Sequence, residues 1–443
     1  MIALDVRVEA FPDPVGILTS DDYGSTRFAY RDEYLSLGSA LPISMSLPLR
    51  DEPFEDGETR AFFQNILQEN DQLNQVMERE NIDRNDVVRL LYFLGSDCPG
   101  AISCLPVGSH PFKRPGLIET DYDFLNVAEV GEIVRRLANH EPLPNTMPDP
   151  SPVAGVQPKI AILHTTDGRY AFPKPGLGVP TTHILKVPRT IHHREPILEA
   201  SAAHLAKFCG LDVSIPRLVE YEGHNALLIS RFDRDVKPDG TVRRVHQEDF
   251  AQALGLPASF KYERYGRDRR IFNVTSIATV LARTSEPARS LSDFICSTMF
   301  NIAIGNSDNH AKNYALLYEV GPAPRLAPLY DLLPIRMKND VTHELSFRIG
   351  TADYVKSLKI EDFAQYFLEL KFKPRAADRF IKTKVISIMA GIDRGLQELE
   401  MIPKDFKDFV AQELAFLVNV LQLDVKVRAR DFFQAKAGGW AAS

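Results

Sequence analysis

The chain has 443 residues, of which 44% are hydrophobic and 25% are charged, and its formal net charge is −7 at pH 7. This composition is typical of a soluble globular protein and excludes a disordered or fibrous chain. The acidic balance also excludes a protein that binds nucleic acid through an overall basic charge. A chain of this length exceeds what one hydrophobic core usually organises, so we expect two or three subdomains.

Cysteine usage and the N-terminus indicate the compartment. The cysteines at positions 98, 104, 209 and 296 are too few and too scattered for a disulfide framework, and none forms a CxxC pair. The opening "MIALDVRVEA" lacks the basic start and apolar stretch of a signal peptide. No run of about 18 uncharged apolar residues occurs either. We therefore expect a cytoplasmic protein with no membrane segment.

The first part of the chain mixes strand-like and helical patterns. Strand-like pieces such as "ALDVRVEAF" and "TRFAY" precede helical stretches at residues 59–80 and 86–94. Prolines then accumulate, most densely in "EPLPNTMPDPSPVAGVQP", and Pro-rich sequence of this kind marks a boundary. We predict a compact α/β subdomain that, with its linker, covers residues 1–145.

The rest of the chain divides into a sheet-rich part and a helical part. Residues 146–235 contain strand patterns such as "KIAILHT" and "THILKVP", crossed by one helix, "EPILEASAAHLAKFCG". Residues 236–443 show helical periodicity, interrupted by a short hairpin near residues 315–329. The sequence predicts an α+β protein in which a small sheet-rich lobe precedes a larger helical lobe.

A dense polar segment lies between two apolar runs in "IAIGNSDNHAKNYALLY", residues 302–318. Asp308 and Asn313 have the D-x-x-x-x-N spacing of the protein-kinase catalytic loop, in which the Asp accepts the hydroxyl proton and the Asn offers an oxygen to Mg²⁺. Two apolar strands and then Asp331 follow, so a hairpin would return a second metal-binding carboxylate. Asn and Asp also favour plain turns. The joint occurrence of these features downstream of a sheet-rich lobe favours phosphoryl transfer.

Phosphoryl transfer also needs cations beside the phosphates. Lys186 lies on an apolar strand, where burying an unpaired ammonium group is costly, and Glu199 in the next helix is its candidate partner. A snorkelling lysine and a helix-surface glutamate are the alternative, about equally good for Glu199. In "VAGVQPKIA", Gly155 would let backbone amides approach phosphates and Lys159 would reach them, although a simple entry into a strand fits equally well.

Two further segments are candidates for binding. Phe232 in "LISRFDR" follows the last strand of the small lobe, where an interlobe hinge would hold adenine, but the same pattern fits a core aromatic residue. The segment "KYERYGRDRR", residues 261–270, interleaves basic residues with tyrosines. A solvated surface loop is the main interpretation of this segment, and contact with nucleic acid or a partner is the alternative.

Several motifs together resemble the HipA family of bacterial serine/threonine kinases, the toxin half of HipA–HipB toxin–antitoxin modules. The N-terminal text also resembles that family's extra N-terminal subdomain, so the resemblance covers nearly the whole chain. The motifs, in chain order, are "SMSLPL", "LLYFLGSDCPGAISCLP", "AGVQPK", "THILKVP", "RFDR", "HQEDFAQALG", "GNSDNHAKN" and "PLYDLLP".

The resemblance implies a protein-kinase-like two-lobed fold, ATP and Mg²⁺ as cofactors, and phosphorylation of a protein such as an aminoacyl-tRNA synthetase. It also implies a small helix-turn-helix antitoxin, HipB-like, through which most DNA contact would be made. By position it assigns catalysis to Asp308, metal binding to Asn313 and Asp331, and nucleotide contacts to Lys159, Lys186, Phe232, Asp233 and Gln247.

One departure concerns regulation. Some relatives carry a phosphorylatable serine two residues before the "AG" of the nucleotide loop, where this chain has Pro152. Proline has no hydroxyl, so we expect no inhibitory phosphorylation at that position. Two rival functions remain from the residues alone: a small-molecule kinase on a similar scaffold and a non-catalytic binding module.

Overall fold

The computed structural model describes residues 2–67, 71–141, 143, 158–189, 193–319, 321 and 323–433. By their internal contacts the residues form two compact units, and each unit is assembled from separate stretches of the chain. The first unit comprises residues 1–190, 219–259 and 315–325, and the second comprises residues 191–218, 260–314 and 326–443.

Strands occur mainly in the first unit. In chain order they are β1 (Ile2–Val8), β2 (Gly16–Ser20), β3 (Thr26–Tyr30), β4 (Ile102–Pro106), β5 (Gly116–Leu117), β6 (Tyr122–Leu125), β7 (Lys159–His164), β8 (Tyr170–Pro173), β9 (His183–Lys186), β10 (Arg217–Tyr221), β11 (His224–Ser230), β12 (Arg234–Val236), β13 (Thr241–Arg244), β14 (His246–Asp249), β15 (Ala315–Tyr318), β16 (Arg325–Leu326), β17 (Glu344–Ile349) and β18 (Ala352–Tyr354).

Helices occur in both units. In chain order they are α1 (Asp32–Leu35), α2 (Asp56–Ile66), α3 (Asp71–Glu80), α4 (Val87–Leu94), α5 (Val127–Asn139), α6 (Glu195–Phe208), α7 (Phe250–Ala253), α8 (Val274–Leu281), α9 (Pro287–Ile304), α10 (Ile360–Glu369), α11 (Pro374–Phe380), α12 (Ile386–Glu398) and α13 (Lys404–Val420), with a π-helical turn (Ile381–Val385) between α11 and α12.

The N-terminal part of the first unit is an antiparallel sheet in the order β3-β2-β1-β4. In β1, Leu4, Val6 and Val8 are buried, which is the period of two expected for a strand with one covered face. Phe62 of α2 and Leu90 of α4 belong to the same buried apolar cluster. The α/β character predicted for this part of the chain is therefore observed.

The second sheet of the first unit has six strands in the order β10-β11-β9-β7-β8-β6. Val130 and Ile133 of α5 share an apolar cluster with Ile160 of β7 and Leu185 of β9, so that helix covers one face of the sheet. The register of β7 against β9 places Lys159 directly opposite Lys186.

A buried carboxylate joins the N-terminal motif "SMSLPL" to the sheet β14-β15-β16. Glu248 of β14 accepts hydrogen bonds from the Ser44 hydroxyl at 2.6 Å, the Met45 amide at 2.9 Å and the Tyr318 hydroxyl at 2.5 Å. Burial raises the pKa of Glu248 to about 7 although these donors oppose the shift. The same interaction fixes β14, which carries Gln247, against β15.

The second unit is centred on α9, whose C-terminal half is buried. That helix ends at Gly305, which has a φ of 75°, in the left-handed region that favours glycine. A Cβ at this position would lie 2.5 Å from the ring of Phe409 on α13. Glycine is therefore required both by the backbone conformation and by the close approach of α13.

Two expectations about the elements need correction. The helix expected to cross the sheet of the small lobe, α6, has its contacts within the second unit. The predicted hairpin near residues 315–329 is the pair β15 and β16, but β16 has only two residues and β14 extends the sheet on the other side of β15. In the described ranges, no helix is both long and apolar enough to span a membrane.

We expect Gly305→Ala to destabilise the protein more than Gly168→Ala, its matched control. Both glycines have positive φ values, 75° and 89°, but nothing lies within 4 Å of a Cβ at Gly168. The control should incur only backbone strain of about 1–2 kcal/mol, whereas Gly305→Ala adds overpacking of roughly 1–3 kcal/mol. Thermal unfolding followed by a fluorescent dye measures the difference. Equal shifts of the two midpoints would contradict this account.

Candidate active site

The polar segment between α9 and β15 forms a compact buried loop, residues 305–314. After Gly305 the Asn306 side chain donates to the Asn301 side-chain oxygen at 3.0 Å, and its own Oδ1 accepts from the Asp308 amide at 3.2 Å. A short 3-10 turn (Ala311–Asn313) then leads into β15. Several polar groups that the sequence places between two apolar runs are thus paired with one another inside the protein, while Ser307 Oγ and His310 Nδ1 are buried without a hydrogen-bond partner in the described residues.

Neighbouring segments of the second unit complete these hydrogen bonds. The Ser346 hydroxyl donates to the Ser307 carbonyl at 2.9 Å, and the Tyr330 hydroxyl donates to the Lys312 carbonyl at 2.8 Å. The Asn309 amide donates to the Tyr314 hydroxyl within the loop. Because these partners come from several directions, the loop is held in one conformation.

Asp308 is half-buried and one of its oxygens is already engaged. The Tyr262 hydroxyl donates to Asp308 Oδ1 at 2.6 Å. Burial raises the pKa of Asp308, and the negative charge of Asp331 raises it further, while Tyr262, Lys261 and Arg264 act in the opposite direction. A carboxylate with an elevated pKa and a single ordered donor is suited to accept a hydroxyl proton.

Asn313 is oriented by the loop itself. Its Nδ2 donates to the Asp308 carbonyl at 3.0 Å, and its amide donates to the His310 carbonyl at 2.8 Å. Because Nδ2 is used as a donor within the loop, Oδ1 is the side-chain atom that could act as a ligand. The spacing D-x-x-x-x-N therefore corresponds to a direct contact between the two residues.

Asp331 is exposed and has a φ of 56°, a left-handed conformation that few residues other than glycine adopt. Leu329, two residues earlier, is fixed by two backbone hydrogen bonds. Its amide donates to the Asp212 carbonyl at 2.9 Å, and its carbonyl accepts from the Ser214 amide at 2.8 Å. Strained backbone of this kind is concentrated at functional sites. The negative charge of Asp331 contributes to the raised pKa of Asp308.

The donor set suits magnesium when phosphate oxygens complete its shell. Asn313 and Asp331 offer one amide oxygen and one carboxylate, the hard oxygen ligands that Mg²⁺ prefers, and Mg²⁺ is commonly held by one or two carboxylates together with substrate phosphates. In the part of the chain that the structure describes, no group of three or more His, Cys, Asp or Glu side chains is arranged to hold a metal alone. The residues therefore fit a metal that arrives with a nucleotide.

Two lysines of the first unit share one face of a sheet. Lys159 and Lys186 are direct partners in the antiparallel pair β7 and β9, and Lys186 is only 8% exposed. Side chains of directly opposite residues have Cβ atoms about 4.5–5.5 Å apart, and like charges in that position are unfavourable unless an anion lies between them. This register was not predicted, and it makes the two positions one cationic site.

The remaining first-unit candidates surround a buried ion cluster. Asp233 accepts two hydrogen bonds from Arg231, at 3.0 and 2.9 Å, and one from Arg234 at 2.6 Å. Burial would raise the pKa of Asp233, but the two guanidinium groups outweigh it and hold that pKa well below its usual range. Gln247 Nε2 lies 3.4 Å from the same carboxylate, so Asp233 and Gln247 are brought together, with the half-buried Phe232 alongside in sequence.

Other predicted positions stay as predictions. Gly155, like Pro152, lies outside the described residues. Lys186 belongs to the first unit and Glu199 to the second, where Glu199 is buried in α6. Their pairing, the roles assigned to the individual site residues, and the boundaries predicted at residues 145 and 235 remain hypotheses.

Sequence reasoning missed Tyr262. The segment around it was interpreted as a solvated surface loop, yet the Tyr262 hydroxyl contacts Asp308, and its ring packs edge-on against His310 with the ring centroids 5.1 Å apart. The Ala311 amide also donates to the Lys261 carbonyl at 3.0 Å. The signal was the interleaving of tyrosines with basic residues, but 46 residues separate Tyr262 from Asp308 along the chain.

A buried D-x-x-x-x-N loop, followed by a hairpin and a strained aspartate, is the arrangement of the protein-kinase-like phosphotransferases. Family models agree with this class. The model of the HipA-like C-terminal domain matches residues 151–392, and the model of the HipA N-terminal domain matches residues 4–105.

Relatives and a solved structure give the same result. The serine/threonine-protein kinase toxin HipA of Shewanella oneidensis is 30% identical over 323 residues, which cover 70% of this chain and 71% of that protein. The protein Y4mE of Sinorhizobium fredii is 34% identical over 336 residues, covering 76% and 78%. The Shewanella oneidensis HipA, solved in complex with HipB and operator DNA, matches with a TM-score of 0.75 and 26% identity over 95% of this chain and 96% of that one.

The chain belongs to the HipA family. The resemblance inferred from the motifs is thereby confirmed, and so is the expected α+β, kinase-like fold, since the solved HipA structure matches over nearly the whole chain.

We expect Tyr262→Phe to raise the pKa of Asp308 further above its ordinary value. The hydroxyl of Tyr262 stabilises the ionised carboxylate, so its loss favours the protonated form, and Asp308 should then ionise at a higher pH. Tyr265→Phe, which removes an exposed hydroxyl from the same segment, is the matched control. Carbon-13 NMR titration of labelled aspartates, with Asp308→Asn to assign the signal, measures both. An unchanged titration in Tyr262→Phe would contradict the assigned interaction.

Proposed function

We propose that this protein is an ATP- and Mg²⁺-dependent serine/threonine protein kinase that acts as the toxin of a bacterial toxin–antitoxin module. The observation that carries the proposal is the buried loop in which Asn313 Nδ2 donates to the Asp308 carbonyl at 3.0 Å, which brings together the two residues of the D-x-x-x-x-N motif. The names of the relatives as kinases support the general class.

Asp308 would receive the acceptor hydroxyl. Its Oδ1 accepts a hydrogen bond from the Tyr262 hydroxyl, which leaves Oδ2 as the oxygen that would receive the acceptor hydroxyl. In the reaction Asp308 would orient the serine or threonine oxygen and take its proton as the bond to phosphorus forms. Since kinase catalysis is mainly positioning and charge stabilisation, the rigid support of the loop is the relevant property.

Asn313 Oδ1 and Asp331 would hold the metal. Mg²⁺, when bound, neutralises the charge that develops on the phosphate oxygens. The amide oxygen of Asn313 is neutral and the carboxylate of Asp331 is charged. Asp331 would therefore supply most of the electrostatic attraction for the metal, and Asn313 would help to orient it. Asp331 has a left-handed backbone with a φ of 56°, a conformation found preferentially at functional sites.

Lys159 and Lys186 would bind the nucleotide phosphates. Their direct pairing across β7 and β9 places two cationic side chains on one face of the sheet, an arrangement that favours the binding of an anion. The nucleoside would be contacted by Phe232, Asp233 and Gln247. Because Arg231 and Arg234 already bind the Asp233 carboxylate, Asp233 would act by fixing the local backbone.

The partner and target follow from the family. The solved relative is a complex of HipA with HipB and operator DNA. We therefore propose that this protein is bound by a small helix-turn-helix antitoxin, and that it is cytoplasmic. With a net charge of −7, this chain would reach DNA mainly through that partner. The acceptor would be a protein of translation, such as an aminoacyl-tRNA synthetase.

We expect Asp308→Asn to abolish phosphoryl transfer while the fold is retained. Loss of the proton acceptor should cost at least ~3 kcal/mol in the barrier, roughly a hundredfold in rate. Transfer of labelled phosphate from ATP to protein measures the effect, with the exposed Asp340→Asn as the matched control. Expression of the wild type alone should slow bacterial growth, and expression of Asp308→Asn should not.

Three results would change the proposal. Equal growth arrest by both proteins would indicate a binding mechanism rather than catalysis. No arrest by either, with phosphate transfer to small hydroxyl compounds, would indicate a metabolite kinase. Near wild-type protein phosphorylation by Asp308→Asn would remove Asp308 from the reaction.

We expect Lys186→Met to weaken Mg-ATP binding about tenfold or more, since a charge-assisted phosphate contact contributes ~1.5–3 kcal/mol. Methionine keeps the apolar stem, so packing on β9 is preserved. Isothermal titration calorimetry measures the affinity, and the exposed Lys237→Ala is the matched control. Unchanged affinity in Lys186→Met would exclude the phosphate contact.

A further inference from the structure

The segment that carries Tyr262 ends in an exposed basic turn. Residues 261–270 contain five basic and two acidic side chains in a chain whose net charge is −7. Arg267 and Arg270 exchange two backbone hydrogen bonds of 3.1 and 3.0 Å, with Asp268 between them in a left-handed conformation. We call residues 267–270 the arginine hairpin.

The arginine hairpin is fixed to the catalytic loop on its N-terminal side. Tyr262 contacts Asp308, and the Lys261 carbonyl accepts from the Ala311 amide. The guanidinium of Arg264 lies 4.1 Å from the centroid of the Tyr262 ring and 3.7 Å from the Glu344 carboxylate. These contacts clamp the ring whose hydroxyl reaches Asp308.

On its C-terminal side the hairpin is anchored in the core of the second unit. Phe272 is fully buried, and its ring lies 5.6 Å from that of Phe347, measured between centroids. At the base of the hairpin, a Cβ on Gly266 would lie 2.7 Å from Ile271, so the two sides approach closely there. Because both ends are fixed, the hairpin holds a defined position relative to Asp308.

The three arginines of the hairpin are exposed, as is Asp268 between them, whereas two neighbouring glutamates are already paired. Glu263 is bound by Arg348 at 3.2 Å and Glu344 by Arg264. Arg267, Arg269 and Arg270 are exposed and form no ion pair with any residue in the described ranges. Three outward-facing arginines on a rigid turn form a surface that is complementary to an acidic ligand.

We propose that the arginine hairpin docks an acidic segment of the acceptor protein, next to the serine or threonine that reaches Asp308. This inference rests on the proposed function and adds the chemistry of the substrate: carboxylates flank the phosphorylated hydroxyl. The planar guanidinium matches a carboxylate through two parallel hydrogen bonds, which gives orientation as well as attraction.

A protein segment fits this surface better than nucleic acid does. Nucleic-acid interfaces commonly neutralise about 6–10 phosphates, whereas the hairpin offers three exposed arginines on a strongly acidic chain. The hairpin is also connected through Tyr262 to Asp308, the residue that we propose accepts the proton of a side-chain hydroxyl. Binding of RNA is one of the outcomes that the peptide-binding experiment distinguishes.

Direct binding tests the hairpin without requiring catalysis. Two fluorescent peptides carry the same central serine, flanked by glutamates in one and by glutamines in the other, and fluorescence anisotropy measures their affinities for the full chain. The variant is Arg267→Ala/Arg269→Ala/Arg270→Ala. The matched control removes the same charge from exposed positions of α11 and the π-helical turn: Arg375→Ala/Arg379→Ala/Lys384→Ala.

We expect the wild type to prefer the glutamate peptide, and the hairpin variant to lose about tenfold in its affinity for that peptide. The control variant should bind as the wild type does. Added salt should weaken the wild-type complex and have much less effect on the variant, because the interaction is electrostatic and exposed. With Mg-ATP, transfer to the glutamate peptide should fall in the hairpin variant while phosphate release from ATP in the absence of peptide is unchanged.

The outcomes separate the two proposals. Equal binding of both peptides, or equal loss in the hairpin and control variants, overturns the docking surface. Hairpin-dependent binding of a single-stranded RNA that displaces the glutamate peptide also overturns it, in favour of a nucleic-acid surface. Hairpin-dependent peptide binding without any phosphate transfer by the wild type would leave the docking surface standing and remove the proposed kinase function.

Discussion

The second unit is organised around a buried polar loop. Residues 305–314 carry more hydrogen-bonding groups than their own backbone can satisfy, and water does not reach most of them. Asn301, Ser346 and Tyr330 supply the missing partners from three other segments. An unsatisfied buried polar group costs roughly 1–3 kcal/mol, so these segments and the loop stabilise one another.

The same constraint prepares the loop for chemistry. Hydrogen bonds within it orient Asn313, and burial raises the pKa of Asp308 above its ordinary value, which makes the carboxylate a stronger proton acceptor. Asp331 is placed by backbone pairing of the preceding residues and adopts a left-handed conformation at a modest energetic cost. Stability and reactivity therefore depend on the same few interactions.

A second principle operates in the first unit, where like charges are held together. Lys159 and Lys186 oppose each other across a strand pair, while Arg231 and Arg234 share the Asp233 carboxylate. The arginines are neutralised within the fold, and this makes Asp233 part of the support. The lysine pair places two cationic side chains on one face of the sheet, which is why we assign the phosphate contacts to it.

The sequence by itself determined what depends on local spacing: the D-x-x-x-x-N loop, the glycine that ends α9, the mixture of helix and sheet, and the membership of the HipA family. Tertiary structure alone decided that Tyr262 contacts Asp308, that Lys159 faces Lys186, and that α6 joins the second unit. Spacing along a loop or helix fixes which neighbours meet, because few dihedral angles intervene. Strand register and contacts between distant segments depend on the packing of the whole core, which no short stretch of sequence encodes.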